Sequence, residues 1–179
     1  MSLFRKVVAG AAALAAGAVA ACDQAPTSRV LHMRPDGVHD LVTYAVAQGP
    51  LLVETVQRGF ADTATTASIV ADAVAHGFRG RVVEGTSDPA KAAVPQTRVR
   101  VALDAAADVQ AGRALCRGET PALSAQGDKM SALMALCVQG EMEALLFGTV
   151  PRPQGPDDKA FRDLLTQMSR QMFDKPKGT

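Results

Sequence analysis

Few residues of this 179-residue chain have the type and spacing to do chemistry. The densest group is the stretch HMRPDGVHD, which gathers His32, Asp36, His39 and Asp40 within nine positions. Imidazoles and carboxylates are zinc ligands when three or four of them converge at about 2.0 to 2.3 Å. The same groups could act as an acid and base pair, so His32, Asp36 and His39 are the candidates for an enzyme's site. Pro35 and Gly37 give the simpler reading, a turn whose polar side chains meet water, and no metal or cofactor is assigned. His76 falls at a predicted helix end, where positive charge complements the dipole. A hydrolytic nucleophile would need an activated Ser or Cys, commonly on a Gly-x-Ser-x-Gly turn, and none is present. Ser87 precedes Lys91 by four residues rather than three, with Pro89 between them, which reads as a loop.

Arginine forms a second pattern. Arg79 and Arg81 share one face of a predicted strand at 79–85, and Arg98 and Arg100 share one face of another at 97–104. If those strands pair, four guanidiniums lie on one wet surface suited to planar carboxylate or phosphate groups. The partner would be an anionic lipid headgroup or an acidic envelope protein. The plainer reading is a solvated sheet face balanced by Glu84 and Asp104.

The first 21 residues address the chain rather than fold it. Arg5 and Lys6 form a basic start, Val7 to Ala21 is uncharged, and 15 residues fall short of the roughly 20 that a membrane-spanning helix needs. The run exits through Val19-Ala20-Ala21-Cys22, which resembles the lipobox of bacterial lipoproteins. That resemblance implies cleavage before Cys22, a diacylglycerol on its sulfur, and a chain held at the bacterial cell membrane facing the periplasm. Asp23, next to the lipid-bearing residue, resembles the signal for retention at the inner membrane, with the outer membrane as the alternative. A bland alternative is ordinary cleavage after Ala18-Val19-Ala20.

Loss of residues 1–21 removes Arg5 and Lys6, leaving 158 residues with 17 basic and 18 acidic side chains, a net charge of −1. Such a chain has no electrostatic case for nucleic acid, whose binding rests on neutralising phosphates. In an oxidising compartment the two remaining cysteines, Cys116 and Cys137, are expected partners in a disulfide.

The elements follow from periodicity. Residues 22–28 form a lipidated cysteine and short tether, 29–174 one domain, and 175–179 a frayed tail. Strands are expected at 29–33, 51–57, 79–85 and 97–104, with a hairpin whose arms, 129–139 and 141–151, flank Gly140; a helix is the alternative for the first arm. The run LVTYAVA at 41–47 is ambiguous between strand and helix. One helix starts at Asp62 or Thr63 and stops at Gly77, placing Ala67, Val70, Ala71 and Val74 on one face. Another follows Pro156, Asp157 and Asp158, with Phe161, Leu164, Leu165, Met168 and Met172 at three- and four-residue steps. The fold class is therefore α+β, an antiparallel or mixed sheet with two helices packed on one face. The late cysteines followed by Gly155-Pro156-Asp157-Asp158 also resemble uncharacterised proteobacterial lipoproteins, a likeness that implies no activity. The expected function is a membrane-anchored envelope protein that binds rather than catalyses. The alternatives are an enzyme built on His32, Asp36 and His39, and a small-ligand carrier with a closed apolar cavity.

Overall fold

Gln139 and Gly140 both take positive φ, 53° and 87°. Two such residues in succession are what a tight type I′ hairpin turn requires. They join β5 (Lys129–Val138) to β6 (Glu141–Pro151), and every residue of β5 from Met130 to Cys137 is buried. A strand buried on both faces must be internal to a sheet, and this hairpin is the centre of one.

The computed structural model describes residues 25–34, 37–56, 59–124 and 127–174. Around the hairpin stand β1 (Thr27–Met33), β2 (Leu51–Val56), β3 (Gly85–Thr86) and β4 (Thr97–Leu103), in the order β1-β6-β5-β4-β2-β3. The pairings from β1 to β4 are antiparallel, and β2 runs parallel to both β4 and β3. A parallel pair needs a crossover, supplied here by α2 (Thr63–Ala75), which Asp62 caps by accepting the Thr65 amide at 3.0 Å.

The chain is α+β with a mixed sheet, as its residue pattern predicts. The helices depart from expectation. The ambiguous run lies inside α1 (Val38–Gln48), and a helix with no prior signal, α3 (Val109–Cys116), follows β4. Side chains of α1, α2 and α4 (Lys159–Phe173) pack on one face with Val53, Val99, Met134 and Leu146, while α3 packs alone on the other with Leu133, Ala135 and Leu145. So among the described residues three helices, not two, cover one face, and one covers the other.

The expected strand at 79–85 is largely absent. Only Gly85–Thr86 pairs, and it pairs with β2 rather than with β4. Leu51, Leu52 and Val53 are fully buried, so β2 takes the internal place beside β4 and leaves the charged segment outside. β1 starts at Thr27, two residues earlier than expected.

Candidate functional site

The lone helix is held by three devices. Asp108 accepts the amides of Gln110 and Ala111 at 3.2 and 3.3 Å, capping its start. At its end, the Arg100 guanidinium donates to the Leu115 carbonyl at 2.6 Å, adding a side-chain donor to an oxygen that the Gly118 amide reaches at 3.1 Å. Cys116 is bonded to Cys137 of β5, with their Cα atoms 5.4 Å apart and both residues buried. Gly112 lets the helix lie this close, because a Cβ there would come within 2.6 Å of the Leu145 methyls.

Arg100 is therefore an internal structural group. Its Nε also donates to Glu54 on β2 at 2.5 Å, and Arg98 Nη1 donates to the same carboxylate at 3.4 Å. β2 and β4 place Leu52 opposite Arg98 and Glu54 opposite Arg100, which explains why one carboxylate serves both. Among the described residues, Arg98 Nε is buried without a hydrogen-bond partner.

Arg79 and Arg81 lie elsewhere, on the exposed loop between α2 and β3. The four arginines thus do not form one sheet surface, because the pairing that would align them does not occur. Arg79 Nε lies 3.4 Å from Asp174 Oδ2, an exposed contact just beyond α4. Val82, on the same loop, is 98% exposed. Arg79 also lines a groove of about 570 Å³ with Pro26, Asp163, Arg170, Gln171 and Asp174. The α4 side of this groove is a polar stripe at helical spacing, beside the apolar stripe that faces the core. Ser28 ties β1 to it, accepting from Gln167 at 2.9 Å and donating to Gln171 at 3.0 Å.

The histidines do not converge. His32 sits in register with Leu145, whose side chain packs on the α3 side of the sheet. His39 on α1 pairs its Nδ1 with the Phe173 carbonyl at 2.9 Å on the other side. Asp36 lies outside the described residues, as do Cys22, Asp23 and the tail from Lys175. Among the described residues, no group of three or more His, Cys, Asp or Glu is placed to hold a metal ion. His76 caps α2, its Nδ1 2.8 Å from the Asp72 carbonyl. The Ser87 to Lys91 segment is a turn in which Asp88 accepts the Ala90 amide at 3.0 Å.

Two further long-range ion pairs among the described residues also escaped the sequence reading. Arg34 donates to both oxygens of the buried Glu143 at 2.8 and 3.0 Å, and Arg152 contacts Asp104 at 3.3 Å. Their partners lie 109 and 48 positions apart, so no local pattern announces them.

No family model matches the chain, and no curated protein matches it in sequence. Among solved structures it is similar to the PelC dodecamer from Paraburkholderia phytofirmans, at 12% identity and a TM-score of 0.39, over 84% of this chain and 96% of that one. A point variant of the same PelC dodecamer gives 13% identity and a TM-score of 0.38, over 84% and 95% of the two chains.

Proposed function

We propose that this chain is a lipid-anchored protein of the bacterial envelope that works by binding an envelope component rather than by catalysis. The observation that carries this reading is the Val19-Ala20-Ala21-Cys22 exit from a short apolar run, four residues ahead of Pro26. Anchorage follows from transfer of acyl methylenes, each contributing about 0.8 kcal/mol, and a stable anchor takes more than one chain. A diacylglycerol on Cys22 supplies two.

Two features of the fold support the reading. The Cys116–Cys137 bond suits an oxidising compartment such as the periplasm. The carboxylates of Glu54, Glu143 and Asp104 each sit against a guanidinium, an arrangement that ties strands together rather than presenting an acid or base to a substrate. Asp23 favours the inner membrane. The test is Cys22→Ala in cells fed labelled fatty acid. The parent chain takes up label and floats with membranes, while the variant stays unlabelled; equal labelling of both overturns the anchor.

A further inference from the structure

The tether and a loop that carries two exposed arginines and a bare valine meet at one groove. Pro26 and Arg79 line it together, with Arg170 and Asp174 on α4. Four residues from Cys22 to Pro26 span at most about 14 Å. A lipid on Cys22 therefore holds this groove close to the bilayer surface, whichever way the rest of the domain leans.

Charge on this loop is uneven: Arg79 and Arg81 outnumber Glu84, its one acidic residue. Val82 lies three residues beyond Arg79, within about 10 Å of it along the chain, and is 98% exposed. A fully exposed branched aliphatic flanked by guanidiniums matches a boundary where phosphates lie over hydrocarbon: arginine meets the phosphate and the valine enters beneath it.

We infer that the loop bearing Arg79, Arg81 and Val82 is a second contact of this domain with an anionic bilayer, one that fixes the domain's orientation on its anchor. The inference rests on lipidation at Cys22, and the experiment separates the two. With Cys22 acylated and Cys116 bonded to Cys137, Val82→Cys introduces the single free thiol of the full-length lipidated chain, which accepts an environment-sensitive fluorophore. Glu141→Cys is the control. It lies at the hairpin end of β6, about 25 Å along that strand from Thr149, the residue paired with Thr27 beside the tether.

Each chain is reconstituted on vesicles of phosphatidylcholine alone or with phosphatidylglycerol at about one lipid in three, and floated. The position 82 label should brighten and become quenchable from within the lipid on the anionic vesicles only, and the position 141 label on neither. Each basic residue near an anionic surface contributes about fivefold to the contact. Arg79→Gln with Arg81→Gln should therefore weaken the signal by about 25-fold in the bound-to-free ratio while flotation stays complete. Salt at 1 M, which shortens the screening length to about 3 Å, should act likewise. A position 82 label that stays in water on floated chains, or that is protected equally on neutral vesicles, overturns the loop contact and leaves the anchor standing. Failure to float, with a second thiol found at Cys22, overturns both.

Discussion

The two faces of the sheet are covered by different means. On one, α1, α2 and α4 bury Val42, Val70, Phe161, Leu164, Leu165 and Met168, large apolar side chains worth about 1.5 to 3 kcal/mol each when removed from water. Phe161 also meets Phe60 edge to face at 5.3 Å. On the other, α3 has eight residues and brings Leu115, Cys116 and Gly112 as its buried residues. A helix that short is unstable by itself and has little apolar surface with which to hold its place. The difference teaches that where burial is thin, covalent and charged devices substitute for it: the Cys116–Cys137 bond, the Asp108 cap, and Arg100 on the Leu115 carbonyl.

The comparison breaks most visibly if the bond is removed. Cys116→Ala with Cys137→Ala reopens a loop of 21 positions in the unfolded chain and should cost about 3 kcal/mol. Urea unfolding measures the loss. Native-state hydrogen exchange should then show amides of α3 opening well before those of α4; equal acceleration in both helices would refute the idea that only the thin face depends on the crosslink. Gly112→Ala is expected to be smaller. Alanine improves helix propensity by about 1 kcal/mol, but its Cβ meets Leu145 at 2.6 Å and Met142 sulfur at 2.7 Å in a buried contact, and overpacking of that kind costs about 1 to 3 kcal/mol. A net loss of about 1 kcal/mol is predicted, and a gain would mean that α3 sits farther from β6.

The smallest effect sharpens the opposite face. The Asp62 carboxyl is held below its usual range, first by the Thr65 hydroxyl and then by the Thr65 amide. A carboxyl with a lower value folded than unfolded stabilises the fold above its unfolded value of about 3.9, and the contribution is lost as pH falls through the folded value. Asp62→Asn keeps a capping side chain without the titration. The parent should be slightly more stable than this variant at pH 7, with the difference closing in acid. A constant gap from pH 7 to 2.5 would assign the cap no charge dependence.

Sequence pattern reveals the thick face far better than the thin one. α4 and β4 carry strong periods, because one apolar stripe faces one core. α3 offers too few apolar positions over eight residues to stand out from a loop. The alternation of Arg98 and Arg100 with valines reads as a wet face, yet their partner Glu54 lies 44 and 46 positions away on a strand brought alongside by a crossover. Local patterns carry no information about such pairings. Proximity in sequence misleads in the reverse direction: His32 and His39 are seven apart and end on opposite sides of the sheet. The groove beside Pro26 is likewise assembled from three distant segments, and only the polar stripe of α4 hints at it.

The place where β1 begins has a mechanical meaning. If Cys22 carries the proposed anchor, drag on the domain enters at Thr27, at the end of an edge strand zipped to β6 through six residue pairs. A pull along that strand loads its rungs side by side, so they resist together instead of peeling in turn. Had the leash joined at β3, two rungs would carry the whole force.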